Sequence, residues 1–262
     1  MVSAVEVEGS GTGALLLWHG FTQSRWSLVH LLAPALASTY ARIAFLDNPG
    51  HGGLAPCPEP GAYFNAIEAA WPAADLFGYS MGGRLALWHL ASYPATVRRA
   101  VVISAHPGLA SNGRQERIAS DHRLAETIAA IPAVAGLGVA TEPLLAFLRE
   151  WNANPLFGSR KLEAADLAVR LRSEPRQLAS SLERFGTGRQ PELAPLIGRS
   201  PSQILYIAGE LDAAYSQHGA QLSRLPNVTA ITVAGAAHDV IAAAPERAVE
   251  AIVSFLAGEG LT

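Results

Sequence analysis

Cysteine occurs once, at Cys57, and lysine once, at Lys161, in a chain of 262 residues. A single cysteine excludes a disulfide framework and fits a reducing compartment. With lysine nearly absent the positive charge is almost all arginine, the side chain suited to bidentate carboxylate recognition, although a GC-rich genome gives the same bias. No lysine/arginine run supplies a phosphate-tracking patch, and 19 basic against 22 acidic side chains leave a formal charge of −3. A nucleic-acid partner is therefore not expected. No apolar run reaches membrane-spanning length, so no membrane association is expected. The segment from Met1 to Glu8 has no basic region leading into an apolar core, so no signal peptide is expected and the residence is read as cytoplasmic. The histidines are scattered, with no His-x-x-x-His and no cysteine pair at ligand spacing, so no metal is expected. No internal repeat or low-complexity tail is visible. Half of the residues are hydrophobic, ample for a full core, and the length suits one domain or a domain with an insertion.

What is present is a series of short, continuous apolar runs. Ala14 to Trp18, Ile43 to Leu46, Leu76 to Tyr79, Ala100 to Ser104, Gln203 to Ala208 and Thr229 to Val233 read as buried strands. Helical stretches separate the first four: about Trp26 to Ala37, Ala66 to Ala70, and the run after Gly83. Strands alternating with helices imply a mostly parallel, doubly wound α/β sheet with right-handed crossovers. The alternation then stops. From about residue 107 to 185 no strand is expected, only helices near Arg114 to Ile131, Glu142 to Asn152, Leu162 to Arg172 and Pro175 to Phe185. A helical insertion at that point of a parallel sheet reads as a cap over the ligand crevice, so the single domain divides into a core of 1–106 and 186–262 and a cap of 107–185. A helix at about Pro245 to Leu256 closes the chain. The glycines from Gly9 to Gly13 precede a strand and open no helix, which rules out a dinucleotide loop.

The chemistry centres on Gly78-Tyr79-Ser80-Met81-Gly82, between a strand and a helix. Gly-x-Ser-x-Gly in that setting is a nucleophile elbow, a turn so tight that the flanking positions must be glycine. A serine so placed needs an imidazole to take its proton and a carboxylate to hold the imidazole, in the chain order Ser, Asp/Glu, His. Asp212, in the loop after the strand ending at Ala208, is preferred over Glu210 as the acid. His238, after the last strand, is preferred over His19, His51 and His106, which precede the required position. Asp47 and His51, in the turn-rich loop after the second apolar run, are expected to hold backbone shape. Two backbone N–H groups would form the oxyanion hole: Met81, after the serine, and Phe21, in the loop after the first buried strand. Arg84, four residues after Ser80, shares its helix face and brings a permanent cation near the hydroxyl.

Several segments together resemble one family. They are His19-Gly20-Phe21-Thr22, Gly78 to Arg84, Pro107-Gly108-Leu109 with Glu116-Arg117 and Asp121, Trp151 with Pro155-Leu156-Phe157, and Leu171-Arg172-Ser173. The family is that of 2-succinyl-6-hydroxy-2,4-cyclohexadiene-1-carboxylate synthase of menaquinone biosynthesis, within the α/β-hydrolase superfamily. The resemblance implies an α/β-hydrolase fold and a lyase that eliminates pyruvate from a cyclohexene bearing succinyl, carboxylate and enolpyruvyl groups. It also implies that no cofactor is needed and that the small-molecule partner is a polycarboxylate. Arg84 and Arg117 match positions that would meet its carboxylates; Tyr79 and Trp151 match positions that line the site. For Arg117 the plain alternative is an ion pair with Asp121, and for Trp151 it is packing within the cap. Asn48, where leucine is usual, and Ala237, where glycine is usual, depart from the family pattern without removing a catalytic group.

The competing reading is a serine hydrolase, a carboxylesterase or C–C bond hydrolase acting on a small carboxylate-bearing substrate. A binding protein that kept the fold is a further alternative, weakened by the presence of all three triad candidates. The sequence is compatible with a monomer or a small homo-oligomer.

Overall fold

The computed structural model describes residues 2–57, 59–132, 142–158 and 161–259. Seven strands form one sheet in the order β1-β3-β2-β4-β5-β6-β7. These are β1 (Ala4–Glu8), β2 (Ala14–Trp18), β3 (Arg42–Leu46), β4 (Ala74–Tyr79), β5 (Arg99–Ile103), β6 (Gln203–Gly209) and β7 (Val228–Val233). All neighbours are parallel except β1 on β3. The parallel strands read as unbroken apolar runs because both faces are covered. Leu16, Trp18, Leu46, Leu76, Val102 and Tyr206 pack on one side. Leu15, Leu17, Phe45, Phe77, Ile103 and Ile207 pack on the other.

Helices α1 (Val29–Leu36) and α11 (Pro245–Ala257) cover the second face through Leu32, Leu36, Ile252 and Leu256. Helices α2 (Pro60–Ala70) and α3 (Met81–Ser92) cover the first through Phe64, Ile67, Leu85 and Leu90. Between β5 and β6 lie α4 (Ser111–Ala129), α5 (Glu142–Asn152), α6 (Ala164–Arg170), α7 (Pro175–Phe185) and α8 (Ala194–Ile197). Helix α7 is sharply amphipathic: Leu178, Leu182 and Phe185 recur at helical spacing and join α4's Ala125 and Ile128 in the first core. Helices α9 (Ala213–Leu222) and α10 (Val240–Ala243) follow β6 and β7. The expectation of helices without a strand over 107–185 holds among the described residues; 133–141 and 159–160 lie outside them.

Two details differ from the sequence reading. The expected strands begin only at Ala14, yet the N-terminal edge carries the five-residue strand β1, whose Glu6 and Glu8 point to solvent while Val5 and Val7 are half-buried. The helix expected from Trp26 to Ala37 is broken at Leu28, a 3-10 turn over Arg25–Ser27 preceding α1.

Register decides where the chemistry sits. Trp18 lies beside Leu46 and Gly78, Tyr79 beside Ile103, Ile103 beside Ile207, and Gly209 beside Val233. The residues that follow these strands therefore emerge along one edge, the crevice edge of an open α/β sheet.

Candidate active site

Ser80 joins β4 to α3 with φ 53 and ψ −112, a conformation that a non-glycine residue adopts only when its surroundings dictate it. The surroundings do so on both sides. A Cβ at Gly78 would lie 2.3 Å from the Gly82 carbonyl oxygen, and one at Gly82 would lie 2.3 Å from that of Trp18. The elbow can pass between α3 and β2 only as glycine-x-serine-x-glycine. The Ser80 amide donates to Ile103 O at 2.8 Å, which ties the turn to β5.

His238 is buried in the loop after β7, and its amide donates to Leu156 O at 3.1 Å. Its Nδ1 lies 2.6 Å from Asp212 Oδ2 and its Nε2 lies 2.9 Å from Ser80 Oγ. An ionised carboxylate only accepts, so Nδ1–H donates to Asp212 and Nε2 accepts from the serine hydroxyl. Asp212 caps α9, its Oδ1 receiving the Tyr215 amide at 3.4 Å. Glu210 is turned elsewhere: it accepts from the Gly235 amide at 2.8 Å and shapes the loop that carries His238.

The Phe21 and Met81 amide N–H groups have no acceptor among the described residues. Phe21 lies in the turn from Gly20 to Gln23, where Gln23 N–H returns to Gly20 O at 3.2 Å and Gly20 N–H donates to Gln23 Oε1 at 2.9 Å. Tyr79 is buried beneath this turn; a Cβ at Gly20 would stand 2.8 Å from its ring, and that ring lies 5.8 Å from His238.

Arg84 is buried, and its Nη1 donates to Phe185 O at 2.6 Å and to Gln190 Oε1 at 3.4 Å. One face of the guanidinium thus holds the C-terminal end of α7; its remaining N–H groups find no acceptor among the described residues. Burial lowers Arg84 to about 10, so it stays charged at neutral pH. Arg117 donates through Nε to Asp121 Oδ1 at 2.8 Å, the ion pair its spacing allowed, with much of its side chain exposed. Trp151 packs edge-on against Phe21 at 5.2 Å, next to Phe147 and Phe157.

Three neighbours were not singled out from sequence. Tyr215 meets the His238 ring at 4.6 Å, Phe157 meets it edge-on at 5.6 Å, and the Leu156 carbonyl holds its amide. Each carried a signal: Tyr215 is three residues into the helix that Asp212 caps, and Leu156 and Phe157 belong to the Trp151-to-Phe157 motif. His106 lies against His218 at 4.3 Å, and burial, with His218, Arg84 and Arg117 nearby, lowers it to about 4. Among the described residues no cluster suited to a metal ion is found, and no helix is long and apolar enough to cross a membrane.

A mostly parallel sheet with a strained serine at its crevice edge, joined to a histidine and an aspartate from later loops, is the arrangement of an α/β-hydrolase. The alpha/beta hydrolase family profile matches residues 15–252. A Bacillus subtilis protein provisionally named 2-succinyl-6-hydroxy-2,4-cyclohexadiene-1-carboxylate synthase is 31% identical over 97% of this chain and 94% of its own. An Escherichia coli O1:K1 protein named as the same synthase is 30% identical over 80% of this chain and 81% of its own. In structure, MenH from S. aureus superposes with a TM-score of 0.82 at 23% identity, covering 98% of both chains. The chain belongs to the 2-succinyl-6-hydroxy-2,4-cyclohexadiene-1-carboxylate synthase family of the α/β-hydrolases.

Proposed function

We propose that this protein is a carbon–oxygen lyase that converts 2-succinyl-5-enolpyruvyl-6-hydroxy-3-cyclohexene-1-carboxylate to 2-succinyl-6-hydroxy-2,4-cyclohexadiene-1-carboxylate and pyruvate. The observation that carries the reading is the unbroken line from Ser80 Oγ through His238 to Asp212, in a chain of this family. Ser80 removes the ring proton next to the succinyl ketone while its own proton passes to His238 Nε2; Asp212 holds the imidazole and offsets the charge it gains. The electron pair left on the ring forms a double bond to the adjacent ring carbon. The existing ring double bond shifts one position, and the bond to the enolpyruvyl oxygen breaks. The departing enolpyruvate gains a proton and becomes pyruvate. Phe21 and Met81 N–H donate to the ketone oxygen as it takes on negative charge. Arg84, from α3, and Arg117, from the helical insertion that serves as a cap, attract the carboxylates, and Tyr79 and Trp151 form walls.

General-base action of this kind supplies about 10²–10⁴-fold, and one oxyanion donor about 10²–10³-fold. The test is pyruvate release from the enzymatically generated substrate, wild type against Ser80→Ala. Release well above the spontaneous rate, lost by several orders of magnitude in the variant, is expected. Release no faster than the spontaneous rate overturns the lyase. A burst of p-nitrophenol from an activated ester, with tolerance of Arg84 substitution, would then mark a serine hydrolase.

A further inference from the structure

Thr22 is strained in a way that Ser80 is strained, yet it sits one residue beyond the proposed oxyanion donor and has no part in the proton relay. Its φ of 67 is in the left-handed region, an unfavourable place for a β-branched residue. Such a conformation persists only where the neighbours over-determine it, and here they grip it from two directions. Its amide donates to His51 Nε2 at 3.3 Å, and its hydroxyl accepts from Arg170 Nη1, at the end of α6 in the insertion. Both partners are buried.

His51 has one tautomer open to it. Its Nδ1 lies 3.2 Å from the Pro49 carbonyl, which can only accept, so the proton is on Nδ1 and Nε2 is left to receive the Thr22 amide. Protonating Nε2 would place two donors face to face. Burial and the neighbouring His19 lower His51 to about 3, against the opposing charge of Asp47, so the acceptor survives across the neutral range. The Phe21 ring is pinned as well, edge-on between His51 at 5.4 Å and Trp151 at 5.2 Å. The His51 loop also meets the insertion directly, Gly52 N–H donating to Ser173 Oγ at 3.0 Å.

We propose that His51 and Arg170 are positioning residues that fix the Phe21 N–H toward the crevice by holding Thr22 at its amide and its hydroxyl. Docking of the insertion then completes the oxyanion hole as well as covering it. The inference rests on Phe21 being an oxyanion donor, as proposed above.

Two measurements on the full chain decide it. In long-range ¹⁵N spectra of histidine-labelled protein between pH 5 and 9, His51 is expected as the neutral Nδ1–H tautomer, not titrating. A proton on Nε2, or titration in that range, removes the grip and overturns the proposal whatever the enzyme catalyses. In kinetics, Thr22→Val keeps the shape and deletes the hydroxyl, and His51→Ala deletes the acceptor. Each is expected to lower kcat by about 10- to 100-fold, the size of a displaced catalytic contact, with KM within about twofold. Thr22→Ser and His51→Gln restore most of it. Unchanged kcat, or kcat falling together with a rising KM and a lower Tm without rescue, overturns the proposal. Both pyruvate release and p-nitrophenyl acetate turnover are read. Absence of pyruvate in wild type would refute the lyase, while the variant-to-wild-type ratio on the ester would still judge the grip.

Discussion

Two buried aspartates sit at opposite edges of the sheet. Asp212, at the crevice edge, accepts from His238 Nδ1 and from the Tyr215 amide, and the chain of bonds continues through the imidazole to a serine hydroxyl. Asp75, at the far edge, accepts from Tyr40 Oη at 2.7 Å, Arg98 Nη2 at 2.8 Å and the Arg99 amide at 2.9 Å, and there the chain ends. Both are nearly inaccessible. Two histidines repeat the contrast: His238 links two partners in line, whereas His89, equally buried in α3, is packed among Trp18, Phe64 and Tyr93. Burial and saturation alone therefore do not mark a functional carboxylate or imidazole. What separates the pairs is whether the bonds lead to a group free to exchange a proton at the crevice.

The largest expected effect breaks the first line. Asp212→Asn keeps the shape but offers the imidazole an amide, which favours the wrong tautomer, and a loss of about 10³–10⁴-fold in kcat follows. Pyruvate release measures it, with Tm expected to stay close to wild type. A loss below tenfold would mean that His238 is held by something else. Arg84 stands between the two classes, since it holds the Phe185 carbonyl and is proposed to meet a substrate carboxylate. Arg84→Met is expected to lower kcat/KM by about 10- to 100-fold, mostly through KM, the scale of a charged hydrogen bond. An unchanged KM with a lowered Tm would assign it wholly to holding α7.

Asp75→Asn sharpens the comparison from the other side. It leaves Tyr40 Oη, Arg98 and the Arg99 amide sharing one poorer acceptor, at a cost of about 2 kcal/mol in stability. Urea unfolding should show the loss while kcat stays at the wild-type value. A fall in kcat without a fall in stability would contradict the division between the edges.

The strands and the elbow were legible because their causes are local. A buried parallel strand is an apolar run, and the glycines at 78 and 82 are demanded by backbone approaches of 2.3 Å. Chain order was enough to rank Asp212 and His238, since register brings the carboxyl ends of the parallel strands to one edge. Strand β1 was not legible: five residues with two exposed glutamates give too short an alternation to separate from a loop. Nor were the contacts of Arg84 with Phe185 and of Thr22 with Arg170. Both join residues more than 100 positions apart, and they depend on how the insertion docks. Composition suggested that arginine would matter; only the folded chain shows that the Arg84 guanidinium holds the C-terminal end of α7.

The smallest effect separates the two histidines by pH. Burial lowers His89 in the native state to about 4, below its ordinary value of 6.5. Between those values the unfolded chain binds a proton that the native state does not, so the unfolded state gains stability as pH falls. His89's contribution is thus fully present above about pH 6.5 and is lost toward pH 4, at up to about 1.4 kcal/mol per pH unit. His89→Phe keeps a ring among Trp18, Phe64 and Tyr93 and removes the titration. The slope of unfolding free energy against pH, from urea melts between pH 7 and 5, should flatten by about that amount, with kcat unaffected. An unchanged slope would mean that Glu68, whose Oε2 lies 3.4 Å from His89 Nε2, keeps the imidazole charged inside the fold. His89 would then be half of a buried ion pair, closer in kind to His238 than its packing indicates.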